Sequence, residues 1–147
     1  MLLSALLVLT LCGTVVPFGN IQSAGIRGRL TCFGKPAAGV RVELYDDDGG
    51  YGNFFDDLLA SGETDAEGHF SLQGHTSEFT TIDPLFIIVN KCNPRFLQRQ
   101  RLYRVMLPDE YVYHGKEPMT FYEFGTMELS GRNVEPPVPI SDCKDRS

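Results

Sequence analysis

The densest group of chemistry-bearing side chains lies in one Gly-rich stretch, where Asp46, Asp47, Asp48, Asp56 and Asp57 fall close together. Carboxylates grouped in this way can ligate Ca²⁺, which takes about six to eight oxygen donors. Asp46, Asp48, Asp56 and Asp57 are the candidate ligands. The EF-hand spacing is absent, however, and no Glu closes the stretch. Read alone, the sequence favours a solvated connection whose Asp side chains bond to nearby backbone. No metal is assigned, and no cofactor is expected.

Tyr51, Phe54 and Phe55 sit among those charges. Exposed aromatics beside a polar rim are what partner-binding surfaces use. The plainer alternative is that Phe54 or Phe55 folds back to plug one end of the core. A second candidate surface is the basic run containing Lys91, Arg95, Arg99, Arg101 and Arg104, with no acidic residue among them. It could face acidic lipid headgroups, sulfated glycans or an acidic receptor patch. Ordinary mixed-sign surface with ion-paired arginines is the alternative. The partner-binding candidates are therefore Tyr51, Phe54, Phe55, Arg95, Arg99 and Arg101.

Catalytic arrangements are missing. His69, His75 and His114 show no metal-ligand spacing, and no nucleophile elbow or phosphate loop occurs. His69 flanks an apparent turn, while His75 and His114 sit in polar, loop-like stretches. No enzyme is expected. With 13 basic against 19 acidic residues, the net charge is −6. A nucleic-acid binder is excluded on that ground, since phosphate contacts demand a basic surface.

The address comes from the first residues. Met1 to Pro17 contains no charge, and Leu2 to Val16 is almost wholly apolar. The run is shorter than the roughly 20 residues of a membrane-spanning helix. It reads as the apolar part of a secretory signal peptide occupying residues 1–24, with cleavage between 19 and 24. Ala24 is the favoured small residue and Gly19 the next. Cys12 leaves with the leader, so Cys32, Cys92 and Cys143 remain, enough for one intrachain bridge and one leftover thiol.

The elements that must position these residues are short alternating runs closed by turn signals, which indicate strands. Ile26, Gly28, Leu30 and Cys32 share one face, opposite Arg27, Arg29 and Thr31. Val40, Val42 and Leu44 alternate with Arg41, Glu43 and Tyr45. Leu59 to Thr64 and His69 to Leu72 flank Asp65-Ala66-Glu67-Gly68, which reads as a hairpin turn. Leu85 to Val89 is continuously apolar, as in a central strand. Arg101 to Leu107, Met119 to Phe124 and Thr126 to Leu129 complete seven or eight strands, with one helical turn admitted over Thr76 to Ile82. The economical architecture is an all-β, two-sheet sandwich over residues 25–131, followed by a Pro-rich extended tail at 132–147.

Gly28-Arg29-Leu30-x-Cys32, Lys35-Pro36-Ala37 and Val40-x-Val42-x-Leu44-x-Asp46-Asp47-Asp48 resemble the nematode transthyretin-like family. So do Asp56-Asp57-Leu58-Leu59, Thr64-Asp65-x-x-Gly68-x-Phe70-x-Leu72-x-Gly74 and Glu78-Phe79-Thr80-x-Ile82-Asp83-Pro84. Cys92-Asn93, Arg101, Leu107-Pro108-x-x-Tyr111, Gly115 and Phe124-Gly125-Thr126-x-x-Leu129 extend the match along nearly the whole mature chain.

The resemblance implies a secreted, transthyretin-type sandwich but no defined activity, with a structural ion pair as the first role for Arg101. Members often carry another Cys soon after the one matching Cys92; here it is absent, so Cys92 lacks a local partner. The resemblance favours Cys32–Cys143, with Cys92–Cys143 as the alternative. The related 5-hydroxyisourate hydrolases need an N-terminal His, an Arg and a closing Tyr-Arg-Gly-Ser. This chain ends Asp142-Cys-Lys-Asp-Arg-Ser147 and has no His in its first expected strand. The expected function is an extracellular binding module engaging a protein receptor or an anionic lipid surface. The alternative is a carrier of a small hydrophobic ligand through an oligomer channel.

Overall fold

The computed structural model describes residues 19–49, 56–92 and 101–131, with the backbone alone at 101 and 102. Nine strands run in order among the described residues: β1 (Asn20–Cys32), β2 (Lys35–Pro36), β3 (Arg41–Asp46), β4 (Asp57–Glu63), β5 (His69–Glu78), β6 (Pro84–Asn90), β7 (Arg101–Met106), β8 (Tyr113–His114) and β9 (Tyr122–Glu128). Two of them are only two residues long, so seven carry the architecture. They form two sheets. In the first, β1 lies between β5 and β9 and also pairs with β2 and β8; in the second the order is β4-β3-β6-β7. All pairings are antiparallel except β1 with β9.

The alternation read from β1 and β3 survives. Ile26, Leu30, Val42 and Leu44 are fully buried, whereas Arg27 and Arg41 face water. Side chains of a strand point alternately to opposite faces, so each strand turns one apolar row inward. β6 is the central strand of its sheet, between β3 and β7, as its continuous apolar run requires. At the centre of the core Phe86 stacks on Phe70 with ring centroids 5.0 Å apart, and Phe124 meets both at a steep angle. Such offset and edge arrangements are preferred by the ring quadrupoles.

Several local expectations change. β1 begins at Asn20, five residues ahead of Gly25, and Ala24 is fully buried inside it. Gln22 and Ser23 hid that extension, because both are polar yet buried. The turn at 65–68 does not close a hairpin: β4 belongs to the second sheet and β5 to the first, so the chain crosses between layers there. Gly68 has φ +80°, and a Cβ on it would lie 2.3 Å from the Leu30 carbonyl oxygen. Asp65 Oδ1 accepts the Glu67 and His69 amides, which fixes the crossing. No helical turn forms over Thr76 to Ile82; β5 runs on to Glu78. The last two expected strands are one strand, β9, with an irregularity where Phe124 is inserted opposite Arg27 and Gly28.

The disulfide is Cys32–Cys92, not a bridge to Cys143. Cys32 ends β1 and Cys92 follows β6, so the bond joins the two sheets at one end of the sandwich. Cys92 indeed has no local partner: its partner is 60 residues away in sequence and near only once the sheets stack, which is why both expected pairings with Cys143 were wrong. Cys143 lies outside the described residues.

Candidate functional site

The outer face of the first sheet carries the most developed constellation. Arg27 and Arg29 of β1 stand beside Ser71 and His69 of β5, and beside Glu123 and Thr126 of β9. These side chains rim a groove of about 530 Å³. Its floor is backbone. A Cβ on Gly28 would fall 2.8 Å from the Gly125 carbonyl oxygen and 2.9 Å from Phe124 Cβ, so no larger residue fits there. Gly125 itself has φ +79°, a region that L side chains rarely adopt. The inserted Phe124 sends its ring into the core and leaves Gly125 on the outside. This is the kind of re-aiming that a β-bulge provides.

The electrostatics of the groove are uneven. Arg27 pairs with Glu123, and its guanidinium carbon lies 5.7 Å from the Phe121 ring centroid. Their hydrogen bond holds Arg27 above its ordinary pKa and Glu123 below its own. Arg29 donates through Nε to the Glu67 carbonyl at 2.9 Å. Its two terminal nitrogens have no partner among the described residues. His69 Nδ1 stands 3.8 Å from Asp65 Oδ1. The arrangement can bind an acidic group through Arg29 with His69 beside it.

Of the residues singled out from sequence, Tyr51, Phe54, Phe55, Arg95 and Arg99 lie outside the described residues. Arg101 opens β7 opposite Asn90, and its backbone alone is described. Asp46 and Asp48 do come together, but with Glu78 rather than with Asp56 or Asp57. Asp57 faces Asp46 across the β3–β4 ladder and is exposed. His75 and His114 are in strands β5 and β8, not in loops. The alternation around Arg27 and Arg29 was legible. Their neighbours Ser71, His69, Glu123 and Thr126 were not, because strand pairing supplies them.

A second cavity of about 470 Å³ lies beside the disulfide, lined by Cys32, Cys92, Ala37, Val40, Arg41 and Lys91 among others. Glu128 organises this end. Its carboxylate accepts the Phe33 and Gly34 amides at 2.8 and 2.9 Å, the Ser130 amide at 2.9 Å and the Thr31 hydroxyl at 2.9 Å. Burial alone would raise its pKa, but the bonds from Gly34, Ser130 and Thr31 outweigh it and bring the group down to about 2.

The model of the transthyretin-like family matches residues 27–108. The chain belongs to the transthyretin-like family. Transthyretin-like protein 5 of Caenorhabditis elegans is 47% identical over 113 residues, 77% of this chain and 80% of that protein. Transthyretin-like protein 2 of the same organism is 41% identical over 87% of this chain and 90% of its own length. Transthyretin-like protein 33 is 42% identical over 98% and 96%. The matched segment contains both disulfide cysteines, the Gly68 crossing and the β1–β5 wall of the groove. Transthyretin-like membership and the two-sheet sandwich thus agree. Among the described residues no helix is long and apolar enough to cross a membrane.

Proposed function

We propose that this transthyretin-like protein is a secreted, non-enzymatic binding module that engages an acidic protein or lipid surface through the outer face of its first sheet. The observation that carries this reading is the groove around Gly28 and Gly125, where the terminal nitrogens of Arg29 stand beside His69 with no partner among the described residues. Guanidinium forks match carboxylate and phosphate oxygens, which supports an acidic partner. The uncharged leader and the disulfide between distant cysteines support export. Processing at Gly19 is the version that keeps β1 whole, since Ala24 is inside the strand.

A carrier of a hydrophobic ligand would need an apolar lining. The groove has apolar atoms in its floor, but its rim sets Arg27, Arg29, His69, Ser71, Glu123 and Thr126 around them. The carrier is therefore the poorer reading.

The test is capture from extracellular fluid and cell surfaces, with flotation on anionic and neutral vesicles in parallel. Arg29→Glu should abolish recovery of the partner while the disulfide and melting curve stay intact. Equal recovery by the parent and by Arg29→Glu would remove the groove from the binding surface.

A further inference from the structure

We propose that Asp46, Asp48 and Glu78 form a Ca²⁺ site that ties the two sheets together at the end of the sandwich opposite the disulfide. One carboxylate oxygen from each of the three lies within 4.8 Å of the other two. A single ion with Ca–O distances of about 2.3–2.6 Å reaches all three. Asp46 ends β3 in the second sheet, while Glu78 ends β5 in the first. An ion held by both would therefore be a bond between layers.

The buried state of Asp46 is the second observation. Its residue is 2% exposed. Oδ1 accepts the Asp83 amide at 2.8 Å, but Oδ2 is buried with no hydrogen-bond donor among the described residues. A buried carboxylate oxygen without a donor is strongly unfavourable, and native proteins rarely leave one. No Lys, Arg or His pairs with any of the three among the described residues. The surrounding charge has the wrong sign to help. Burial, and after it the charges of Asp48, Glu78 and Asp83, push the Asp46 pKa up to about 6. A divalent cation supplies what the described residues do not: positive charge and a partner for Oδ2.

The donor set selects the metal. All three ligands are hard carboxylate oxygens, with no His or Cys, so zinc and copper are disfavoured. Mg²⁺ demands near-octahedral oxygens at about 2.0–2.1 Å and sheds water reluctantly, whereas Ca²⁺ accepts irregular shells completed by water and carbonyls. With three carboxylates the affinity should fall at about 10⁻⁴–10⁻³ M, the range of extracellular calcium modules. The site is independent of the groove, which lies on the outer face of the first sheet.

The experiment is melting and calorimetric titration of the purified protein with CaCl₂, with MgCl₂ and EDTA arms. CaCl₂ at 10 mM should favour the folded state by about 10- to 100-fold and raise the melting temperature by about 5 °C or more. Mg²⁺ should give a smaller rise. Asp48→Asn and Glu78→Gln should lose the calcium response, while Asp57→Asn keeps it. In EDTA the same two variants should melt at or above the parent temperature, because each removes one of three like charges. That reversal of sign between EDTA and calcium separates a metal site from a structural hydrogen bond. If Asp46→Asn fails to fold, Asp48→Asn and Glu78→Gln still decide the matter. Absence of heat and of any shift in the parent protein overturns the proposal. So does a shift that Asp48→Asn and Glu78→Gln leave unchanged.

Discussion

The two ends of the sandwich hold the same two sheets together by different means. At one end the Cys32–Cys92 bond spans them, and buried polar side chains finish the connections. Asn90 donates to the Leu129 carbonyl at 2.9 Å and accepts the Cys92 amide at 2.8 Å. Thr64 takes the Val40 amide and gives its hydroxyl hydrogen to the Ala37 carbonyl. At the other end no covalent bond is present among the described residues. Gln22 bridges to the Thr80 carbonyl at 2.6 Å and the Ile82 amide at 3.3 Å, and Asp46, Asp48 and Glu78 bring three carboxylates together at the same end. One end is satisfied internally. The other has its charges arranged so that an ion from outside would complete it.

Five substitutions test this contrast. Cys92→Ala should have the largest effect, because the bridge spans 60 residues of sequence. Chain-entropy reasoning assigns such a loop about 4 kcal/mol. Chemical denaturation of the variant and of reduced parent should show the same loss, and non-reducing peptide mapping should recover Cys32 linked to Cys92. A map linking Cys143 to either residue would break the picture.

Next come the two buried amides. Asn90→Ala and Gln22→Ala should each cost about 1–3 kcal/mol by leaving backbone groups without partners. Asn90→Ala should be the more damaging, since both its bonds are short, and urea midpoints would rank them. The reverse order would mean that the acidic end is the tighter one without any ion.

Glu128 gives the pH test. Its folded-state pKa lies below its ordinary 4.5, so its contribution is fully present above that value and is lost as pH falls through about 2. Glu128→Gln should cost about 1 kcal/mol at neutral pH through weakened charge-assisted bonds. The gap between the two melting curves should then close on acidification from pH 4.5 toward 2. A gap that is constant with pH would assign Glu128 a packing role.

The smallest effect is expected at Arg27→Ala. Arg27 and Glu123 are both more than half exposed, and such pairs are screened by water. The melting temperature should stay unchanged, while binding through the groove becomes the quantity to compare with Arg29→Glu.

Legibility followed the kind of signal each residue carries. The apolar rows of β1 and β3 and the continuous run of β6 could be read directly, because the period of two is local. The start of β1 could not, since Gln22 and Ser23 look like surface residues until their partners are known. The 65–68 turn has the residues of a hairpin, but turn chemistry says how tightly the chain bends and not which sheet the next strand joins. Glu78 escaped notice for the same reason. It is far in sequence from Asp46 and Asp48, and nothing near it repeats their acidic pattern.

The sequence by itself determined the sandwich, the polar outer face of β1 and membership of the transthyretin-like family, because these rest on alternation and on motifs read within a few residues. Tertiary structure decided which cysteines pair, which neighbours surround Arg29, and which third carboxylate joins Asp46 and Asp48. Those are contacts between layers, and the stacking of two sheets brings together residues that no local period relates.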